Sequence, residues 1–357
     1  MKNKKILFVC GSMNQTTQMH KISLELLEYE AYFSPFFASG FLGFLNKLKL
    51  VEYTILGGEV KQKALSYIRE NKLNLDYRGK NNDYDLVIIS QDITFPSNLK
   101  KFKTILVQEG MTDPPDWRYH VTRFLHLYRW CASTSMTGLS HLYDYFCVAS
   151  EGFRQQFIGR GINPNKIRVT GIPNFDNIVN EMNELKFEHK NFVLVATSDI
   201  RETLKYENRK KLIDYAVKIA NGRKLIFKLH PNENVKKRTA EIKKYAPDAL
   251  VYHGVSIDPM IANCDVFITK FSSTLFPAFI LGKEVHCAFG DDELKHLTPI
   301  QNNATSAKNI AEVAKELLES DPSIVRKKEK VKYYSYLFQK RTKYPLKHNY
   351  AHTKTGH

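Results

Sequence analysis

Short apolar runs alternate along this chain with longer segments of mixed polarity. "KKILFVC" is followed by "TTQMHKISLELLEYEAYF", "YDLVIIS" and "KTILVQEG" come next, "YDYFCVAS" precedes "EGFRQQFIGRG", and "IRVTGIP" precedes "NFDNIVNEMNEL". Apolar runs without polar interruption are strands buried on both faces, and the mixed segments have the length and period of crossover helices, so the pattern predicts a parallel, doubly wound α/β sheet. It starts again after the charged stretch "NELKFEHKN" with "FVLVATS", "KLIFKLHP", "ALVYHGV", "CDVFITKFSS" and "KEVHCAFG", separated by helix-like segments such as "NRKKLIDYAVKIANG" and "SAKNIAEVAKELLES". The expectation is two Rossmann-like domains facing a central cleft, over residues 1–178 and 190–322, with a linker near 178–190.

Ligands of open α/β sheets bind beyond the carboxyl ends of the strands. The candidate site is therefore made of the loops that end the strands, "CGSMNQTT", "QEGMTDPP", "ATSDIRET", "KLHPNE", "YHGVSID" and "KFSST".

Composition narrows the class. The chain has 357 residues, 43% apolar and 12% aromatic, which suits a folded protein of two ordinary domains. It has no apolar run of the roughly eighteen residues that a membrane span needs, and "MKNKKILFVCGS" leads into a strand without a signal-peptide core, so a cytoplasmic protein is expected. Five widely spaced cysteines, mostly in strand-like runs, point to reduced core residues instead of a disulfide framework or zinc site.

The net charge of +16 is concentrated at one end. From Arg326 onwards ten Lys or Arg face the single Glu329, a net +9, interleaved with Tyr333, Tyr334, Tyr336, Phe338 and Tyr344. This basic aromatic tail, residues 323–357, is expected to meet an anionic membrane surface at its inner face. Nucleic acid, served by the same residue types, is the partner not expected, and a solvated helix with a frayed end is the plain alternative. Two further segments, Tyr32–Leu50 and Trp117–Trp130, mix large apolar residues with Lys or Arg as interfacial helices do, although core packing would also explain them.

"SEGFRQQFIGRGINPNKIRVTGIPNFD", "FKLHP" and "CDVFITKFSSTLFPAFILGKEV" occur in that order over Ser150–Val285. Together with the first strand they resemble the GT-B-type glycosyltransferases and their relatives, the UDP-N-acetylglucosamine 2-epimerases and the CDP-glycerol glycerophosphotransferases. In "FKLHP", period-two alternation puts Lys228 and His230 on one face, and Pro231 turns the chain. The resemblance implies that His230 contacts the phosphate of a nucleotide donor; capping a strand end is the alternative. Ser272, Ser273 and Thr274 follow a strand and open an apolar helix-like segment, where hydroxyls and N–H groups suit an anion. Similar pairs bind donor phosphates in the related enzymes, and a plain helix cap is again the alternative. Many relatives carry an acidic residue three positions later to grip the ribose, whereas this chain has "LFPAF" with Pro277.

The same resemblance aligns Glu109 in "VQEGMTDPP" with the catalytic base, with Asp113 in reserve; transfer to a hydroxyl needs such a base within hydrogen-bond reach. Asn14, Gln15 and Thr16 in "CGSMNQTT" are candidates to face the acceptor, against simple helix capping. That loop lacks the full G-x-G-x-x-G of a nicotinamide site. "DYD" at Asp83–Asp85 precedes its strand, the wrong end for a metal site, and no Cys/His cluster has ligand spacing. No metal and no cofactor are therefore expected beyond a nucleotide-activated donor of the CMP, CDP or UDP type. The function implied is a metal-independent, inverting glycosyltransferase that builds a surface polysaccharide or glycolipid. A teichoic-acid-type CDP-polyol phosphotransferase, a sugar-nucleotide 2-epimerase and a non-enzymatic basic binding protein are the alternatives.

Overall fold

The computed structural model describes residues 3–38, 58–198, 208–320 and 351–353, and the chain divides into two compact units. The first runs to Asp176 and takes in the segment that starts at Pro299; the second spans Asn177–Thr298 and the final residues of the chain.

The first unit contains β1 (Lys5–Cys10), α1 (Met13–Ser23), β2 (Glu30–Pro35), α2 (Gly58–Glu70), β3 (Leu86–Ile89), β4 (Lys103–Val107), α3 (Trp117–Phe124), β5 (Tyr145–Val148), α4 (Glu151–Gly159) and β6 (Ile167–Val169). Its six strands are parallel in the order β2-β1-β3-β4-β5-β6. The unbroken apolar runs lie in the middle, where both faces are covered: Ile6, Phe8, Ile88, Ile105 and Val107 are fully buried. Strand β2 departs from the sequence reading, which carried the first helix on to Phe33. The helix stops at Ser23, Leu27 is left exposed, and "EAYFSP" pairs with β1, Leu7 opposite Tyr32. Its Tyr-Phe pair suits a pleated, half-buried surface better than a helix.

The second unit contains α5 (Ile178–Met182), β7 (Val193–Ala196), α6 (Arg209–Ala220), β8 (Leu225–Lys228), α7 (Val235–Tyr245), β9 (Leu250–Tyr252), α8 (Asp258–Asn263), β10 (Val266–Ile268), α9 (Leu275–Ile280), β11 (Glu284–Cys287) and α10 (Asp291–Leu297). Strands β11-β10-β7-β8-β9 are parallel in that order, and Ala351–Thr353 adds an antiparallel edge to β11. Val195, Phe227 and Ile268 pack here with Leu212, Ile213 and Ala216 of α6 and Ile242 of α7.

One helix lies where the sequence did not place it. Residues 306–319, assigned by sequence within 190–322, form α11 (Ser306–Glu319), whose Ile310, Ala314 and Leu317 pack into the core of the first unit with Met19 and Ile22 of α1. Asp176 holds its start: Oδ1 accepts the Asn302 N–H and Oδ2 the Ser306 N–H, each at 2.6 Å. Gly171 sits at φ +80°, and a Cβ there would lie 2.1 Å from Ser306 Oγ, so "GIPNFD" is the socket that receives α11. The helix read as starting at Asn174 is correspondingly short and starts at Ile178.

All five cysteines are free, and burial pushes the Cys10, Cys147 and Cys264 thiols up to about 12 and Cys287 to about 11, as expected of inert core thiols. The basic tail lies outside the described residues apart from Ala351–Thr353, as does most of Tyr32–Leu50.

Candidate functional site

In the first unit the loop after β1 and the loop after β4 meet on Glu109. Ser12 caps α1 by accepting the Gln15 N–H at 3.2 Å, and its hydroxyl donates to Glu109 Oε1 at 2.7 Å. The Gln15 carboxamide donates to Glu109 Oε2, and Asn14 Nδ2 stands 3.4 Å from both Oε1 and the Glu109 carbonyl. Gly11 makes this possible: a Cβ there would fall 1.7 Å from Gln15 Oε1, so any side chain would push the carboxamide away from Glu109. Asn14 is itself fixed by Asn174, whose Nδ2 donates to Asn14 Oδ1 at 2.7 Å. A carboxylate has about four lone-pair sites, so these contacts orient Glu109 and leave capacity for a further hydroxyl.

Ser12 was not singled out by sequence, although a serine before a helical run is a recognisable cap. Thr16 was, but its side chain is fully buried and its hydroxyl donates to the Ser12 carbonyl at 2.8 Å. One turn before Met19 on the inner face of α1, it cannot face an acceptor. Asp113 lies elsewhere on the loop: its N–H goes to Thr134 and its carbonyl accepts from Arg160, which also holds Thr112 and the Ser135 carbonyl. Asp85 Oδ2 accepts the Lys5 N–H at 2.8 Å, in keeping with a loop role for "DYD".

In the second unit His230 follows β8 directly. Its N–H donates to Glu233 Oε2 at 2.9 Å and approaches Thr197 Oγ1 at 3.2 Å, while its Nδ1 accepts the Asn232 N–H at 3.2 Å. In the neutral ring that contact places the proton on Nε2. Glu233 is fully buried; its Oε2 also accepts the Thr197 hydroxyl, and its Oε1 pairs with the equally buried Arg209 at 2.7 Å. This pair is the part of the site the sequence reading missed. The signal available was Glu233 three residues after His230, the spacing of a turn-closing acceptor; Arg209 has no local signature.

Lys228 does not project beside His230. It is buried, desolvation lowers its pKa against the opposing pull of Glu233, and its Nζ donates back to the Leu229 carbonyl at 2.9 Å. Strand alternation fails because β8 ends at Lys228 and the pleat no longer governs His230. Ser272, Ser273 and Thr274 also differ from expectation. Helix α9 has six residues and Thr274 gives it no side-chain cap; instead Ser272 Oγ accepts from the Thr274 N–H and hydroxyl at 3.3 and 2.9 Å. The three half-buried residues form a small turn of their own. Beside it, at the carboxyl ends of adjacent strands β10 and β7, the buried Thr269 Oγ1 and Ser198 Oγ have no hydrogen-bond partner among the described residues. Among the described residues no cluster of His, Cys, Asp or Glu has the makings of a metal site.

No family model matches the sequence, and no curated protein matches it. Solved structures do match. The UDP-GlcNAc 2-epimerase of Neisseria meningitidis, bound to UDP-GlcNAc, superposes with a TM-score of 0.54 at 14% identity, over 87% of this chain and 100% of that one. The fold is GT-B. A putative UDP-N-acetylglucosamine 2-epimerase of Listeria monocytogenes gives 0.51 at 13% identity, over 89% and 88% of the two chains. A variant of the wall teichoic acid polymerase TagF gives 0.50 at 12%, over 89% and 90%. At these identities the likeness is one of fold, and the GT-B architecture accounts for the two parallel sheets and their alternating helices. The chemistry has to be argued from the side chains.

Proposed function

We propose that this protein is a metal-independent, inverting glycosyltransferase that moves a sugar from a nucleotide donor to a hydroxyl of a surface glycan or glycolipid. The observation that carries the reading is the setting of His230. It stands at the carboxyl edge of a parallel sheet, its backbone anchored by a buried ion pair and its ring held with Nε2–H as a donor, beside two buried hydroxyls in want of a partner. Such an edge suits a phosphate. The Neisseria epimerase binds UDP-GlcNAc, which makes a nucleotide-linked sugar the first donor class to try.

In the proposed reaction the acceptor oxygen attacks the anomeric carbon while Glu109 takes its proton, and the bond to the donor phosphate breaks with its electrons passing to the phosphate. His230, Ser198 and Thr269 stabilise the departing phosphate, with Ser272–Thr274 as further candidates for its contacts. Lys228 contributes as a buried positive charge instead of a direct ligand. Transfer of a polyol phosphate would use the same donor contacts, but the related glycerophosphotransferases carry His where this chain has Glu109. The test is a thermal-shift comparison of CMP, CDP, UDP, GDP and their sugar derivatives, with His230→Ala and Glu109→Ala alongside. A ligand at about a hundred times its dissociation constant stabilises by about 2.7 kcal/mol. A shift with one nucleotide that His230→Ala abolishes and Glu109→Ala keeps, with turnover lost in both, supports the proposal. No shift with any nucleotide overturns it.

A further inference from the structure

Helix α3 wears its apolar side outwards. Its inward face carries Tyr119 and Thr122, which are buried, while Trp117, Val121 and Phe124 recur on the outer face and Leu125 continues the stripe. Trp117 is 72%, Phe124 79% and Leu125 56% exposed, and Tyr128, 65% exposed, stacks on Trp130 with ring centroids 5.9 Å apart. Isolated exposed apolar residues need no explanation, but a contiguous stripe of this kind marks a contact surface.

The charge around it says what kind. Between Trp117 and Trp130 the chain has Arg118, Arg123 and Arg129 with His120 and His126, and no Asp or Glu. Arg123 is not swinging free: its guanidinium donates to the Tyr119 hydroxyl and to the Arg160 carbonyl at 3.0 Å, which fixes a cation at the base of the stripe. A second copy of this chain would set like charges against one another across a symmetric contact. The chain's own tail is excluded by the same argument, since from Arg326 it has ten cations to one anion. Nucleic acid would use the arginines and stack on the tryptophans, but it offers Val121, Phe124 and Leu125 nothing. A bilayer takes all of them: aliphatic groups below the headgroups, Trp and Tyr at their level, and arginine at lipid phosphates.

We propose that the outer face of α3 and the segment through Trp130 form a docking surface for an anionic lipid bilayer, seating the first unit at the membrane as a peripheral protein. The surface stands apart from the donor chemistry proposed above, so either can fail alone.

The chain carries a built-in reporter, because both of its tryptophans, Trp117 and Trp130, lie in this surface. The full-length protein is mixed with vesicles of phosphatidylcholine alone and of phosphatidylcholine with one third phosphatidylglycerol. On the anionic vesicles tryptophan emission is expected to move to shorter wavelength and to be quenched by bromine-labelled acyl chains, with binding that weakens as salt rises. Phe124→Ser with Leu125→Ser, both at exposed positions, should weaken partition at least about tenfold with the melting temperature unchanged. Three outcomes overturn the proposal. One is no vesicle binding at all. Another is cosedimentation without any change in tryptophan emission, or with the double variant binding as well as wild type, which would assign the binding to the tail. The third is an emission change with a single-stranded oligonucleotide and none with vesicles. Nucleotide stabilisation that persists in the double variant would leave the proposed reaction standing in each case.

Discussion

Asp176 and Ser306, 130 residues apart in sequence, are joined by a 2.6 Å hydrogen bond from the Ser306 N–H to Asp176 Oδ2. With the Asn302 N–H on the other oxygen, one buried carboxylate caps the start of α11 and fastens it beside β6. Charge-assisted bonds of this kind contribute about 1.5–3 kcal/mol each when buried. Asp176→Ala is therefore expected to lower stability by about 2–4 kcal/mol in urea unfolding, with Asp176→Asn intermediate. A loss below about 0.5 kcal/mol for Ala would show that packing of α11 alone holds it.

Gly11 and Gln15 offer a different separation, between folding and chemistry. A methyl group at position 11 collides with the end of a flexible side chain, not with backbone, so Gly11→Ala should leave the melting temperature within a degree or two. It should still lower kcat roughly tenfold or more by loosening Glu109, and Gln15→Ala should do the same without affecting nucleotide binding. Steady-state kinetics with the donor found by thermal shift decides the matter, and an unchanged kcat in both variants removes Gln15 as a positioning residue.

Arg209 and Glu233 are paired where neither has water to fall back on. Arg209→Met strands a buried carboxylate and is expected to cost about 3–5 kcal/mol, whereas Arg209→Met with Glu233→Gln should recover a good part of it. Guanidinium unfolding of the two variants measures the difference. The double variant also loosens the turn that holds His230, so its nucleotide response should weaken even where stability returns.

His141 is half-buried, and its pKa is lowered from 6.5, chiefly by desolvation and then by the neighbouring Lys166, with Arg129 and Arg123 acting in the same direction and Asp92 against it. Unfolding releases the ring to its ordinary pKa, so the unfolded chain binds the proton more readily. The sign follows: stability from this group is present above pH 6.5 and is lost as pH falls from there towards the folded value. His20, also lowered by desolvation, adds to the same slope. His141→Asn, a residue that tolerates the positive φ of 54° at this position, should flatten the loss of stability between pH 7 and pH 5; an unchanged profile would assign the slope to other groups.

The strands were legible because an unbroken apolar run such as "LVII" or "KTILV" has few structures available to it other than a strand covered on both faces. The loops that end them were legible for the same reason, and Glu109, Asn14 and Gln15 prove to be neighbours. What could not be read was any feature decided by a distant partner. The apolar stripe of α11 shows that it packs on something, but the socket at Gly171 and Asp176 decides what. Arg209 reads as a surface residue of a basic helix, and only Glu233, brought alongside by the fold, makes it internal. Lys228 and Thr16 failed for a local reason, since each sits at the end of an element, where the period that predicted its direction no longer applies.

The return of α11 to the first unit also sets an order in time. The core around Met19 and Ile22 is completed by Ile310, Ala314 and Leu317, which a ribosome makes only after the whole second unit. At roughly 5–20 residues per second the early strands wait on the order of ten to thirty seconds for their last helix. During that interval the second unit can close on its own residues while the first stands open on one side. The part of the chain that is made first is thus the part that finishes folding last.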